Sequence, residues 1–403
     1  MKKILMSMLL CMSAHTLAAD TVKIAITGPF TGGSAPMGVS MRDGAKLAIA
    51  EINAAGGIGV GGRRMKIEVI ERDDEAKNDR GALIAQELAS MDGLSGVIGT
   101  ANTGVVLAGD RYLQEKGITK IITPAAGSAS MTQWVKAGVP DLSIFRFSAD
   151  DGLQAQMVVA EAIKRGLTKV AVFHDTTNYG VSGRDDLLNQ IKGQGNKLQV
   201  VATEKFNIGD KDMTAQLLKA KNGGAQVILI WAIGPEMAAV ANDMEKLGMH
   251  LPLIGGWTLC MSNFIDNAGK NGNGAVMPQT FIEDPITPKA RKFIDAYHKA
   301  YNVQRIPSPM SAAEGYDAVL LFAAAVKQAQ SADTRKIKAA LEDLKEPVKG
   351  VIADWKHPYS KWNPANEDTH EAFRTQNVVM GMVKDGQVVF ANEADKQRMI
   401  KQK

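Results

Sequence analysis

The chain has 403 residues, 45% hydrophobic and 22% charged, enough apolar material for two domains that each bury a core. Its 47 basic and 43 acidic residues nearly balance, which excludes the strongly basic face of a nucleic-acid partner. Two cysteines, Cys11 and Cys260, exclude a disulfide framework, and no stretch approaches the roughly eighteen continuous apolar residues that would span a bilayer.

The first segment, MKKILMSMLLCMSAHTLAAD, places Lys2 and Lys3 before an apolar run from Ile4 to Met12 and small residues at Ala18 and Ala19. This layout predicts a secretory signal peptide over residues 1–19, so the mature protein is expected to be soluble, exported and left with Cys260 alone.

Strand-like and helix-like runs then alternate: VKIAI, a helix from Met41 to Ala55, MKIEVI, a helix near Gly81 to Ser90, GVIGT, a helix near Val105 to Glu115, and ITKIIT. A second series follows from about residue 150, with DGLQAQMVVAEAIKRG, KVAVFHD, GRDDLLNQI, LQVVAT, MTAQLLKAK, AQVILIWA, EMAAVANDMEKLG and LPLIGG. Such alternation predicts parallel strands joined by crossover helices, and the repeat predicts two α/β lobes. Pro278, Pro285 and Pro288 break the pattern, after which helices are expected over Thr287 to Tyr301 and Ser311 to Ala329. The tail from Gly350 mixes strand-like VVMGMVKDGQVVF with WKHPYSKWNP.

One motif invites an oxidoreductase reading. GGIGVGG holds a GxGxxG pattern at Gly57, Gly59 and Gly62, but a pyrophosphate loop must follow a strand and open a helix. Here a helix precedes and a strand follows, so the glycines are expected to cap the helix and turn the chain. No GxSxG, Walker loop or HExxH is present. The histidines after the leader (174, 250, 298, 357 and 370) are too scattered for a local metal box, so neither enzyme activity, cofactor nor metal is expected.

Loops at the carboxyl ends of parallel strands are where ligands of such sheets bind. Three are small and polar: GPFTGGSAPMG, GTANTG and TPAAGSAS. Their backbone N–H groups, with hydroxyls from Thr103 or Ser128, make a candidate anion site. Each taken alone could be a tight turn; three on one edge favour a ligand.

GPFTGG, AIAEINAAGGI, VIGT with its small polar loop, TPAAGS, FHDTTNYG and IWAIGPEM, in this order, resemble the leucine/isoleucine/valine-binding group of periplasmic binding proteins, the substrate-binding components of ATP-driven importers. The resemblance implies a type I fold: two doubly wound parallel-sheet lobes joined by a three-segment hinge. Crossings are expected near Phe145 to Ser148, Met277 to Pro285 and Gly350 to Trp355. That assigns residues 20–146 with 279–351 to one lobe and 147–278 with 352–403 to the other. It also implies a periplasmic, monomeric protein that takes a small carboxylate or amino-acid-like ligand and docks on a membrane permease. A ligand sensor of the same fold is the alternative.

Carried over position by position, the ligand carboxylate would meet the hydroxyl of Thr103, with Asn102 beside it, and the main chain of Ala125, Ala126 and Gly127, with Ser128 as a further donor. The second lobe would contribute Tyr179 and Ile233, and the first loop Met37. The amino-acid-binding members place an acid after the strand matching LPLIGG, where this chain has Trp257 in GGWTLC. An unpaired ammonium in a dry cleft costs several kcal/mol and an indole face returns about 2 kcal/mol. The ligand is therefore expected to be an apolar or aromatic acid in preference to an α-amino acid, unless Glu236, Glu283 or Glu314 supplies the charge.

Overall fold

The computed structural model describes residues 21–401; the expected signal peptide lies outside them. The run TVKIAITG becomes a central strand, with Val22, Ile24, Ala25 and Ile26 all fully buried, as expected for a parallel strand covered on both faces. In the first lobe this strand, β1 (Thr21–Gly28), is followed by α1 (Ala35–Ala54), β2 (Ile58–Val60), β3 (Arg63–Asp73), α2 (Asn78–Ala89), β4 (Leu94–Gly99), α3 (Thr103–Lys116), β5 (Lys120–Ile122), α4 (Ala129–Lys136) and β6 (Ile144–Arg146). The strand order is β2-β3-β1-β4-β5-β6, parallel throughout except for the β2–β3 hairpin.

The second lobe comprises α5 (Asp151–Lys164), β7 (Lys169–Asp175), α6 (Asn178–Gly193), β8 (Gln199–Phe206), α7 (Thr214–Asn222), β9 (Val227–Trp231), α8 (Glu236–Lys246), β10 (Leu253–Gly255), α9 (Ser262–Ala268) and β11 (Val276–Gln279). The chain then returns to the first lobe with α10 (Pro288–Tyr301), α11 (Pro309–Ala329), α12 (Thr334–Leu341) and the ribbon β12 (Val348–Lys349) and β13 (Asp354–Trp355). It finishes in the second lobe with β14 (Val379–Lys384), β15 (Gln387–Phe390) and α13 (Glu393–Lys401), giving the sheet order β15-β14-β11-β10-β9-β7-β8.

Local chemistry sets the boundaries. Helices α3, α5 and α8 each end with a lysine in the last turn and a left-handed glycine just beyond, at Gly117, Gly166 and Gly248, complementing the negative end of the helix. Asp150 and Thr177 cap α5 and α6, accepting from the amides of Leu153 and Gly180. Helices α1 and α11 approach backbone to backbone: a Cβ at Gly44 would lie 1.9 Å from the Ala312 carbonyl oxygen, and one at Gly315 would lie 2.2 Å from that of Met41.

The glycine-rich stretch caps α1 and then does something the sequence did not announce. Gly57, at φ +87°, turns the chain into β2, which pairs antiparallel with β3 through a two-residue turn at Gly61 and Gly62. A Cβ at Gly57 would sit 2.3 Å from the Met65 oxygen, so the glycines serve hairpin packing and no helix follows them to hold a pyrophosphate.

The third crossing differs from the expected position. Past Trp355 the chain stays on the first lobe: Tyr359 Oη donates to the Arg146 carbonyl at 3.2 Å and Trp362 Nε1 to that of Val139 at 2.7 Å. His370 stacks on Phe145, with ring centroids 4.0 Å apart. Glu371 bridges alongside Arg146, extending the first sheet beyond β6, so the chain re-enters the second sheet only at Val379. The driving force is aromatic burial: Tyr359, Trp362 and Phe373 lie between 3% and 6% exposed, which no tail on the second lobe would match without leaving Phe145 and Phe147 uncovered.

Candidate functional site

A cavity of about 700 Å³ lies where the carboxyl ends of the two sheets face each other. Its walls come from six strand exits: Gly33 and Ser34 after β1, Glu75 to Asp79 after β3, Asn102 to Gly104 after β4, Thr176 to Tyr179 after β7, Ile208 and Gly209 after β8, and Ile233 to Glu236 after β9. The lobes touch across it, with Ser128 Oγ donating to Asp186 Oδ2 at 2.8 Å and Asn263 Nδ2 to the Gly33 oxygen at 2.7 Å.

Tyr179 and Ile233 are placed by one buried carboxylate. Asp175, at the end of β7, accepts from the Thr177 amide at 2.9 Å and hydroxyl at 2.5 Å, which shapes the turn into α6. Its other oxygen accepts from the Ile233 amide at 2.8 Å, tying the exit of β9 to that of β7. Burial pushes this carboxyl above its ordinary range, with the hydrogen bonds acting the other way.

On the first lobe the TPAAGS loop is held from behind. Buried Arg146 donates through Nη1 to the carbonyls of Ala126 at 3.1 Å and Gly127 at 2.8 Å, and pairs through Nε and Nη2 with Glu371 at 2.7 and 2.5 Å. Ser148 Oγ takes the Ala125 carbonyl. The amides of Ala125, Ala126 and Gly127 have no protein acceptor among the described residues. Thr103 stands over them, since a Cβ at Gly127 would lie 2.3 Å from its Oγ1.

Four polar atoms in these walls are buried without a protein partner: Asn102 Oδ1, Thr103 Oγ1, Tyr179 Oη and Glu236 Oε2. Three more lie in the layer beneath, on Asp151 Oδ1, Trp257 Nε1 and Gln279 Oε1. Each such group costs about 1–3 kcal/mol, so a concentration of them around one cavity marks the place where a ligand would supply partners.

Of the ten residues singled out from sequence, Asn102, Thr103, Tyr179 and Ile233 line the cavity. Ala125, Ala126, Gly127 and Trp257 lie against it from beneath, the Trp257 amide accepted by Gln154 Oε1 at 3.0 Å. Ser128 is engaged by Asp186 across the lobes, and Met37 is fully buried in the core beside α1. Among the acids, Glu236 reaches the cavity, with Oε1 on the Gly209 amide at 2.7 Å. Glu283 pairs with His298 away from it. Glu314 is buried against Thr280 and Thr123, and burial raises its carboxyl well above the ordinary range.

Asp151 escaped the sequence reading. It follows the capping Asp150, and the doubled acid in SADDGL was the available signal. Cys260 is a space-filler here, its thiol pushed up to about 12 by burial.

The profile of the periplasmic binding protein family matches residues 21–378. The leucine-, isoleucine-, valine-, threonine- and alanine-binding protein of Pseudomonas aeruginosa is 30% identical over 332 residues, covering 82% of this chain and 84% of that protein. Among solved structures, the branched-chain amino acid transporter substrate-binding protein LivJ of Streptococcus pneumoniae with isoleucine superposes with a TM-score of 0.74 at 24% identity, over 92% of this chain and 98% of that one. A solute-binding protein of an ABC transporter from R. palustris with benzoate gives 0.75 at 20% identity, over 92% and 96%. The chain belongs to the periplasmic binding protein family, in its Leu/Ile/Val-binding group.

Proposed function

We propose that the protein is the exported, monomeric substrate-binding component of an ABC importer of the branched-chain amino acid type, and that it clasps a small carboxylate with an apolar or aromatic body between its lobes. The observation that carries this reading is the set of unpartnered buried atoms contributed by both lobes, Asn102 and Thr103 from one and Tyr179 and Trp257 from the other. A carboxylate set against the Thr103 hydroxyl and the Ala126 and Gly127 amides gains charge-assisted hydrogen bonds. Tyr179 and the Trp257 indole then close over its body. The closed form gains contacts the open one lacks, so the ligand shifts the population toward closure, and a permease can read that state.

Capture requires no bond to break, so the protein is read as a carrier and not an enzyme. The relatives agree in kind, being named for the molecules they bind. A second reading, an amino acid as ligand, is favoured by Glu236 Oε2, a carboxylate oxygen without a partner in the cavity wall. A thermal-shift screen of branched-chain amino acids beside benzoate, phenylacetate and aliphatic acids tests both. A carboxylate at one hundred times its Kd should stabilise the protein by about 2.7 kcal/mol. Failure of every carboxylate to raise Tm would defeat the proposal.

A further inference from the structure

Asp151 opens α5 at the boundary between the lobes and is 0% exposed. Its amide donates to the Ala126 carbonyl at 2.8 Å, so its backbone abuts the loop proposed to hold the carboxylate. Its side chain turns to the other lobe, where Oδ2 accepts from Trp231 Nε1 at 3.2 Å. Oδ1 has no partner at all.

The Tyr179 hydroxyl is close by and also unpartnered. It belongs to the same wall, since a Cβ at Gly256 would lie 2.7 Å from Tyr179 Oη and 3.2 Å from the Trp231 ring. Burial and then the Asp151 charge push the phenol well above its ordinary range. Thr103, Gly127, Ala126, Asp151, Trp231, Gly256 and Tyr179 therefore follow one another around a single enclosure.

A buried carboxyl oxygen with no donor and a hydroxyl not bonded to it ask for a group that sits between them. We infer that Asp151 accepts a hydrogen bond from a donor on the carbon next to the ligand's carboxylate, so that the substrate class is 2-amino or 2-hydroxy acids with an apolar side chain. The placement follows from proximity: the residue whose amide touches the carboxylate loop can reach only the ligand atoms nearest that carboxylate. The inference rests on the proposed reading of the cleft as a carboxylate site.

The two donors differ in proton balance. The groups facing Asp151 are Asp150 on its own helix, Asp186 and Tyr179 on α6, and Arg146 on β6, whose charge is already engaged by Glu371. Burial and the charges of Asp186 and Asp150 hold the Asp151 carboxyl well above the ordinary range, against the pull of Arg146. An ammonium needs the ionised carboxylate, so its binding would release the Asp151 proton to buffer and tighten as pH rises. A hydroxyl would bind without proton exchange.

The test is calorimetry on the mature chain with two matched series: leucine, 2-hydroxy-4-methylpentanoate and 4-methylpentanoate, then phenylalanine, 3-phenyllactate and 3-phenylpropanoate. In the wild type one 2-substituted acid should bind roughly tenfold to a hundredfold more tightly than its unsubstituted partner. In Asp151→Ala that ratio should fall towards one. Should that variant fail to fold, Asp151→Asn serves instead, with loss of the preference for the amine as the expected result. Runs in buffers of different ionisation enthalpy then distinguish amine, with a proton released, from hydroxyl, with none. An unchanged ratio in the variants, or tighter binding of the unsubstituted acids by the wild type, overturns the inference and leaves the carboxylate site standing. Binding of none of the six acids overturns both.

Discussion

Two cavities lie between the lobes. One, of about 700 Å³, opens at the strand exits; the other, of about 270 Å³, sits beside the second crossing, between Cys260 and Ile265 of one lobe and α10 of the other. Both are lined by charged and apolar groups, and volume alone would not assign a role to either. Their polar atoms differ. In the smaller cavity Glu283 is matched by His298 at 2.5 Å and by the Ile306 amide at 2.9 Å, and Arg305 by the Gly386 carbonyl and Asp266, each at 2.6 Å. None of the partnerless buried atoms belongs to its lining, whereas four belong to the larger one. Space with satisfied walls is a joint between moving parts, and space with unsatisfied walls is a receptacle.

The largest expected effect comes from dismantling what holds the receptacle in shape. Glu371→Ala leaves the Arg146 guanidinium, 2% exposed, without its carboxylate. Removing one partner of such a buried pair costs about 3–5 kcal/mol. Chemical denaturation should show that loss, and the ligand affinity of the surviving folded fraction should fall too, because Arg146 also holds the Ala126 and Gly127 carbonyls. A variant as stable as the wild type would mean that the loop is shaped by something other than this pair.

Next in size is Thr103→Ala. The hydroxyl has no protein partner, so its removal should leave Tm unchanged within about 0.5 kcal/mol of stability. Affinity for the carboxylate should drop by about 1.5–3 kcal/mol, or roughly tenfold to a hundredfold, by calorimetry. A fall in Tm with affinity intact would reverse the contrast between the cavities, making the hydroxyl structural.

Partnerless atoms without space give a third case. Asp74 Oδ2 and Asp110 Oδ2 lie beside a void of about 10 Å³, too small for anything beyond a single water. Here the consequence is pH-dependent stability and not binding. Burial raises the Asp74 carboxyl from 3.8 to about 6, so between those values the folded state holds a proton that the unfolded state has lost. Stability therefore falls as pH rises through that window, by an amount on the order of 1–3 kcal/mol. Asp74→Asn should be more stable than the wild type above pH 6, and the gap should close towards pH 4. A gap that is independent of pH would assign the difference to packing.

The alternation of strands and helices was legible because each parallel strand is a β-branched run buried on both faces, as in VILIW at β9. Cations and glycines at helix ends were legible for the same local reason. The residues that complete the site were not. Asp151 and Gln279 acquire meaning from what lies opposite them in space, and neither period nor spacing records that an oxygen has no donor. The tail was misplaced for a related reason: Tyr359, Trp362 and His370 find their partners more than two hundred residues earlier in the chain. Resemblance located the loops. Which of their atoms remain without partners depends on side-chain geometry.

The smallest effect is the control that gives the comparison its edge. Glu283→Gln keeps an oxygen for the Ile306 amide and an amide that can face His298, so the smaller cavity stays satisfied. Burial holds the Glu283 carboxyl above its ordinary 4.5, with Ile306, His298 and Arg305 acting the other way. The wild type thus loses a little stability as pH rises past 4.5, which the amide does not, and the difference at neutral pH should stay within about 1 kcal/mol. Ligand affinity in the larger cavity should change by less than about twofold, because no group facing the ligand has moved. A tenfold loss would show that closure is gated at the second crossing, and the smaller cavity would then be a working part of capture.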